Sequence, residues 1–154
     1  MQHSGLGLWV RDNHCVGWGL GDHPLPLVLA DDVADALVAA ALVRGDSLHG
    51  QALNLCARVP LTAQEVVAEL KRVTGRSLRF HPRPLWKSQA MEIGKWLVKQ
   101  AGRRKDAQFP SYRDLKSRAL VPAFACDLAR EQLGWRPIEE REAFLDRAVR
   151  IYAP

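Results

Sequence analysis

The stretch PLPLVLADDVADALVAAAL, residues 24–42, constrains the fold more than any other part of the sequence. The segment PLVLA is typical of a short buried strand, and the alanine-rich second half has the apolar spacing of a helix that ends near Gly45. Asp31 and Asp32 stand between the two. We expect one carboxylate to cap the helix and the other to tie the junction to a neighbouring loop. The spacing of nearby acidic and histidine residues predicts no metal site here.

Strand and helix signals alternate along the chain on both sides of this junction. LGLWV, GQALNLCA and SLRFHPRPL predict short strands, and the prolines limit the last of them to a sheet edge or a loop. Thr62 followed by Glu65 forms a capping box, and Gly75 supplies the stop of the helix that this box begins. These signals predict an α/β fold in one domain, residues 1–154.

Three segments complete the predicted secondary structure. WKSQAMEIGKWLVKQAGRRK predicts a basic amphipathic helix that breaks at Gly102. FPSYRDLKSRALVPAFA is expected to be irregular, and CDLAREQLGWRP predicts a helix with Asp127 as its cap and Gly134 as its stop. The inner side of the amphipathic helix is expected to hold Trp86, Met91, Trp96 and Leu97. A final helix is predicted in IEEREAFLDRAVRIYA, and its inner side is expected to hold Phe144, Leu145, Ala148 and Ile151.

The net charge of +5 comes from one segment, Lys71 to Arg118, which holds fourteen basic and three acidic residues. Such a segment can meet a diphosphate, nucleic acid or lipid headgroups. Cys15, Cys56 and Cys126 form no CxxC pair and are expected to be reduced, mostly buried thiols. With no signal peptide and no run of about 18 apolar residues, we expect no transmembrane segment and a cytoplasmic location.

Three pieces of the sequence occur in an order that identifies a resemblance. They are the junction VLADDVADALVAAAL, the unit LNL followed by PLTAQEVVAELKRVTG, and the segment CDLAREQLGWRP. Together they resemble the C-terminal half of the extended short-chain dehydrogenase/reductases, the NAD-dependent epimerases and dehydratases. The resemblance spans Trp9 to Ile151, and the late LGWRP segment follows the family pattern closely.

This resemblance implies a mostly helical substrate-binding portion with a few short strands, without the N-terminal Rossmann nucleotide-binding half. The 154 residues contain no G-x-x-G-x-x-G turn between a strand and a helix, so no cofactor-binding residue is expected here. NAD or NADP would belong to the complete enzyme. The family's catalytic Tyr-x-x-x-Lys pair is also missing, and the spacing of Tyr112 and Lys116 imitates it only by coincidence. Whether this chain is itself an enzyme stays open.

Five residues are candidates for contact with a small-molecule substrate, which the resemblance implies is a sugar or nucleotide sugar. The family has an arginine before the aspartate of the LGW segment, and Arg118 matches it nearly, so it is expected to contact an anion. Arg113 and Phe124 are expected in the same pocket wall. His23 can donate a hydrogen bond and Trp18 can stack on a substrate ring. The segment GDHPLPLV lacks the arginine that the family commonly carries there.

Two other classes of function remain open. The segment from Lys71 to Arg118 could form a basic binding module for nucleic acid or other polyanions, including acidic membranes. Nucleic acid is disfavoured because aromatic residues do not alternate with the basic ones and no helix-turn-helix pattern is present. Alternatively, the chain is a partner subunit that completes a Rossmann half encoded separately. Apolar surface facing a missing half, in cis or in trans, would favour self-association.

Overall fold

The computed structural model of the chain describes residues 3–4, 6–10, 12–43, 48, 50–102, 104, 108–120 and 123–152. Within these residues it contains four short strands and six α-helices, which confirms the α/β class. The strands are β1 (His3–Ser4), β2 (Gly7–Val10), β3 (His14–Val16) and β4 (Arg79–His81). The helices are α1 (Ala30–Leu42), α2 (Ala63–Thr74), α3 (Leu85–Ala101), α4 (Tyr112–Ala119), α5 (Asp127–Leu133) and α6 (Arg141–Ala148), with a final 3-10 turn at Arg150–Tyr152.

The four strands form one mixed sheet in the order β1-β2-β3-β4. β1, β2 and β3 are antiparallel neighbours, and Trp9 faces Cys15 across the β2–β3 pair. β4 pairs with β3 in parallel, so that Cys15 faces Phe80. The strand expected in LGLWV is confirmed, and SLRFHPRPL supplies an edge strand, as the prolines Pro82 and Pro84 predict.

Helix α2 lies at the centre of the packing. Its capping box is confirmed, since the Thr62 hydroxyl accepts from the Glu65 main chain while the Glu65 carboxylate accepts from the Thr62 main chain. Gly75 ends the helix with a left-handed φ of 65°. One side of α2 packs on the sheet through Val67, and another packs on α6 through Val66. Burial of these apolar side chains is the main term that holds the fold together.

A second core cluster joins α1 to α5. It contains Ala36, Cys126, Ala129 and Trp135, all buried. The small side chains of Ala36 and Ala129 allow the two helices to approach closely. Gly134 ends α5 with a left-handed φ of 63°, as predicted, and directs Trp135 back onto α1.

The two strands expected at PLVLA and GQALNLCA are wrong. One main-chain hydrogen bond of 2.8 Å, from Ala57 N to Leu27 O, joins the two segments, and a second of 2.8 Å, from Leu25 N to Leu61 O, joins residues just outside them. A regular ladder needs a donor at alternate positions, and prolines within and beside the segments have none: Pro24, Pro26 and Pro60. The apolar signal was correct about burial and wrong about pairing, because Leu29 and Ala57 belong to the main core.

Three helix details also differ from the prediction. FPSYRDLKSRALVPAFA contains the helix α4, which is short, strongly polar and mostly exposed, so its few apolar residues give only a weak helix signal. The N-cap of α5 is Cys126, and Asp127 is the first helical residue. At the C-terminus the α-helix ends at Ala148, so the following turn leaves the side chain of Ile151 71% exposed while Phe144 and Leu145 are buried as expected.

Helix α3 extends to Ala101 and is followed by Gly102, as predicted, yet none of its residues is buried. Trp86, Met91 and Leu97, which were expected on an inner side, are exposed. The apolar pattern identified the helix correctly, but a periodic sequence cannot state which side faces the protein.

The three cysteines are free, as expected. Cys15 and Cys126 are buried and Cys56 is half-buried, and burial raises the pKa of Cys15 to about 11. Among the described ranges, every helix is too short or too polar to cross a membrane.

Candidate ligand site

A cavity of about 490 Å³ lies beside the glycine-rich segment that follows β3. This segment, residues 17–21, supplies one wall through Trp18 to Gly21, and the starts of α2 and α3 and both ends of α4 supply further lining residues. A volume of this size suits a small organic ligand. Its lining residues are Leu6, Trp18, Gly19, Leu20, Gly21, Asp22, His23, Leu25, Ala63, Pro84, Leu85, Trp86, Tyr112 and Ala119. We call it the main cavity.

The glycines of this wall are required by the ring of Phe80. A Cβ atom on Gly17 would lie 2.5 Å from the Cζ atom of that ring, and a Cβ atom on Gly21 would overlap it as well. Gly21 also has a left-handed φ of 72°, which side chains rarely adopt. The glycines therefore let the main chain wrap around an aromatic side chain, and no dinucleotide site was expected from them.

Main-chain hydrogen bonds hold the wall in place. The carbonyl of Gly19 accepts from the Arg83 N–H at 2.8 Å, and the Gln64 side chain donates to the Leu20 carbonyl at 2.7 Å. The Gln64 N–H also donates to the carbonyl of Gly21 at 3.4 Å. The wall is thus attached to α2 and to the segment after β4, and a ligand would meet a preformed surface.

The main cavity combines aromatic rings with a small polar corner. Trp18, Trp86 and Tyr112 supply flat apolar faces on which a ring can stack. Asp22 and His23 supply the polar corner, with the His23 Nε2 atom 3.8 Å from the Asp22 carboxylate. Both groups are exposed and can turn toward hydroxyl groups of a ligand.

The structure brings together two of the five predicted contact residues. Trp18 and His23 both line the main cavity. Phe124 lines a neighbouring cavity of about 380 Å³ that shares His23 and Leu25 with the main one. Phe124 therefore lies near the site, on the far side of His23.

The two predicted arginines are placed differently. Arg113 is exposed on α4 and lines none of the cavities described here. The backbone of Arg118 belongs to α4, but its side chain lies outside what the structure describes. The next residue, Ala119, lines the main cavity. The anion contact expected of Arg118 stays a prediction.

A third cavity, of about 340 Å³, lies on the other side of Trp18 and is more polar. It shares Trp18, Gly19 and Leu85 with the main cavity, and its charged lining residues are Arg83, Glu92, Lys95 and Asp114. A ligand that extends past Trp18 would thus leave an apolar region and meet charged groups. We call it the polar cavity.

Asp22, Trp86 and Tyr112 line the main cavity, and sequence reasoning predicted none of them as a contact residue. Trp86 was assigned to the inner side of a helix, and Tyr112 was considered only as half of a catalytic pair. Lys116, the other half, is exposed and does not line the main cavity.

The aspartate junction is structural and lies away from the cavities. Asp32 is buried, and its carboxylate accepts a 3.1 Å hydrogen bond from the Ile138 N–H. Asp31 is 79% exposed, and its carboxylate lies 3.8 Å from Arg147. Neither caps α1, because Leu29 is the N-cap and the cap has no side-chain hydrogen bond. The described residues contain no group of three side chains that could hold a metal ion.

Two histidines meet outside these cavities, across the parallel pair of β3 and β4. The Nδ1 atom of His14 lies 2.7 Å from the Nε2 atom of His81, and the two rings stack with centroids 5.0 Å apart. One ring must donate and the other must accept in this contact. The pair joins the edge strand to its neighbour at a solvent-exposed position.

Comparison with known proteins adds no assignment to this geometry. The sequence matches no protein-family model. No curated protein matches it at a significant level either.

Proposed function

We propose that this chain is the substrate-binding portion of an NAD(P)-dependent epimerase or dehydratase of the extended short-chain dehydrogenase/reductase type. One observation carries the proposal. In the family that the sequence resembles, the substrate lies between the segment before the aspartate junction and the region between the two sequence hallmarks. In this chain, residues of both regions line the main cavity: Trp18 to His23 and Leu25 from the first, and Pro84, Leu85, Trp86, Tyr112 and Ala119 from the second.

The lining of this cavity favours a sugar as substrate, alone or as part of a nucleotide sugar. Trp18 and Tyr112 can stack on the apolar face of a pyranose or on a base, while Asp22 and His23 can bind hydroxyl groups. No lysine or arginine is among the described lining residues of the main cavity. A diphosphate would be better placed in the polar cavity, near Arg83.

The chemistry of the complete enzyme would be divided between two parts. NAD or NADP, bound by a Rossmann half in cis or in trans, supplies hydride transfer at a carbinol carbon. The present chain would bind the sugar, orient it and exclude water through its aromatic wall. Alone it should bind substrate and carry out no oxidation or reduction.

Ligand binding to the isolated chain tests the first part of this proposal. The chain would be titrated calorimetrically with a panel of hexoses and with uridine, guanosine and thymidine diphosphate sugars. At least one should bind, and Trp18→Ala should weaken that binding about tenfold because a stacked ring is lost. Arg113→Ala is the matched control, since this exposed side chain lines none of the described cavities and should leave the affinity unchanged.

Binding of no member of the panel would count against the sugar assignment. Equal weakening by both substitutions would mean that the ligand does not occupy the main cavity.

The source of the nucleotide-binding half needs a separate measurement. The intact mass and N-terminal sequence of the native product would be determined from its source cells. A longer product with a G-x-x-G-x-x-G strand-turn-helix supports a half in cis. If the native product has only these 154 residues, affinity capture should recover a Rossmann partner, and recovery of none would contradict the proposal.

A basic binding module is the alternative of another class. The described part of the basic segment supports nucleic acid as its partner only weakly, because its longest helix, α3, presents apolar side chains to solvent. That feature fits a different kind of partner, and one of the exposed residues, Trp86, also lines the main cavity.

A further inference from the structure

Within the described part of the chain, the ring contact and the hydrogen bond that attach helix α3 to the segment before α4 lie on one side of the helix. Its Trp96 ring meets Phe109 edge-on, with centroids 5.3 Å apart, and the Gln89 side chain donates to the Pro110 carbonyl at 3.0 Å. Both contacts are with the segment that leads into α4. No residue of the helix is buried. The opposite side of α3 is therefore a surface helix face.

That opposite side is apolar. At 100° per residue, seven exposed residues fall on one continuous arc: Trp86, Ala90, Met91, Gly94, Leu97, Val98 and Ala101. Lys87 is the one charged residue within this arc. The exposed fractions of Trp86 and Val98 are 64% and 74%. We call these seven residues the α3 face; a helix in water normally presents polar residues on such a side.

The sequence of α3 and of the residues that follow it is basic. Between Leu85 and Asp106 the sequence has six basic and two acidic residues. The Lys87 ammonium lies 5.4 Å from the centroid of the Trp86 ring, and Lys95 forms an ion pair of 2.6 Å with Glu92. An occupant of this face must therefore offer apolar groups at the centre and negative charge at the edge.

We propose that the α3 face binds the interface of a lipid bilayer that contains anionic lipids. The helix would lie in the plane of the interface, with Trp86, Leu97 and Val98 among the upper acyl chains and the basic residues at the phosphates. An apolar face, flanking lysines and a tryptophan at one end form the pattern of interfacial helices. This proposal does not depend on the proposed sugar substrate.

The combination of charge and apolar surface favours an anionic bilayer over a second copy of the chain or nucleic acid. A second copy of the same face would cover the apolar residues but would bring two basic helices together without any counter-charge. Nucleic acid would satisfy the basic residues but would leave Leu97 and Val98 in water. A bilayer with anionic headgroups satisfies both requirements.

Vesicle co-sedimentation tests the proposal. The whole chain would be mixed with large unilamellar vesicles of phosphatidylcholine alone, or of phosphatidylcholine and phosphatidylglycerol in equal parts. We expect binding to the anionic vesicles that weakens as salt is raised. Val98→Glu should lower the partition coefficient about tenfold, and Lys87→Glu should do the same by reversing a charge.

Leu42→Glu is the matched control. Leu42 is as exposed as Val98, at 74%, but it lies on α1. The substitution adds the same charge elsewhere and should change the partition coefficient by less than about twofold. Circular dichroism would verify that each variant keeps its helix content and melting temperature.

Three results would overturn the proposal. The first is no binding to anionic vesicles. The second is binding that Val98→Glu and Leu42→Glu reduce equally, since the α3 face would then have no special part. The third is a dimer, detected by light scattering and lost in Val98→Glu, without vesicle binding, because a second copy would then be the occupant.

Discussion

The indole N–H of Trp135 donates a 2.7 Å hydrogen bond to the main-chain carbonyl of Asp32, a residue 103 positions earlier in the chain. The Asp32 carboxylate accepts from the Ile138 N–H in the same place. Together these bonds fasten the first turn of α1 to the segment after α5. They explain why an aspartate is buried at this junction, since a buried carboxylate without partners would be costly.

Removing the Asp32 carboxylate should destabilise the protein. Asp32→Ala leaves the Ile138 N–H without its acceptor, at a cost of about 1–3 kcal/mol in the free energy of unfolding. Urea denaturation would measure the change. Asp31→Ala is the control and should stay within about 0.5 kcal/mol, because Asp31 is exposed and 3.8 Å from its nearest cation. Equal losses in the two variants would contradict a specific role for Asp32.

The wall of the main cavity should tolerate no side chain at Gly21. Gly21→Ala combines a left-handed φ with overlap of the Phe80 ring, so we expect a loss of about 2–4 kcal/mol in the free energy of unfolding. Gly75→Ala shares the left-handed φ but meets nothing within 4 Å, and about 1 kcal/mol is expected there. Thermal melts of both variants give the comparison. Similar melting temperatures would mean that overlap with the Phe80 ring adds nothing to the loss of stability in Gly21→Ala.

An acid titration should reveal the ion-pair cluster between α2 and the C-terminus. Hydrogen bonds from Arg72 and then Arg150 lower the pKa of Glu69 from its ordinary 4.5 to about 2. Between these two values the unfolded chain binds the proton and the folded chain does not, so this contribution is present above pH 4.5 and is lost as the pH falls toward 2. In this pH range the slope of the unfolding free energy against pH reports how many more protons the unfolded chain binds. Glu69→Gln should lower that number by up to about one.

Denaturation curves collected across that pH window in wild type and Glu69→Gln would check this. Glu92→Gln is a control, since Glu92 belongs to a more exposed pair on α3. An unchanged slope in Glu69→Gln would show that the cluster does not contribute to stability.

The capping box of α2 should be the most sensitive helix end, because α2 packs on both the sheet and α6. Thr62→Ala removes the hydroxyl that accepts from the Glu65 N–H and should lower the free energy of unfolding by about 0.5–2 kcal/mol. Thr62→Ser keeps the hydroxyl and should recover most of that loss. If serine were no better than alanine, the effect would come from the lost methyl group instead.

Thiol reactivity should follow burial. Cys15 is fully buried with a pKa of about 11, so at pH 8 it is protonated and inaccessible to iodoacetamide. Cys56 is the most accessible thiol, although burial and the adjacent Cys126 thiol raise its pKa too. Mass spectrometry over time should find Cys56 modified first and Cys15 only after unfolding. Early modification of Cys15 would mean that the sheet opens locally.

The helix ends that could be predicted most closely are those marked by a local cap or stop. The capping box at Thr62 and the glycine stops at Gly75, Gly102 and Gly134 fixed α2, α3 and α5 closely. Helix α4 escaped because it is short and mostly polar, although Tyr112, Leu115 and Ala119 recur at helical spacing. The strand error in PLVLA has the opposite cause, since apolar residues report burial but not the hydrogen-bond partners of the main chain.

The candidate site was less accessible to sequence reasoning than the fold. Trp18 and His23 were found because they belong to one short segment. Trp86 and Tyr112 come from distant helices, and only the packing of α3 and α4 against the glycine-rich wall brings them to the same cavity. Local patterns in a single sequence do not predict which distant residues come together in the folded chain.

The dependence of residues 17–21 on Phe80 also bears on the order of assembly. The parallel pairing of β3 with β4 closes a chain loop of more than sixty residues, and such closures are slow because their entropy is lost before contacts compensate for it. The glycine-rich wall has no ring to wrap around until that closure is complete. We therefore expect binding competence to develop late in folding, after α2 has formed.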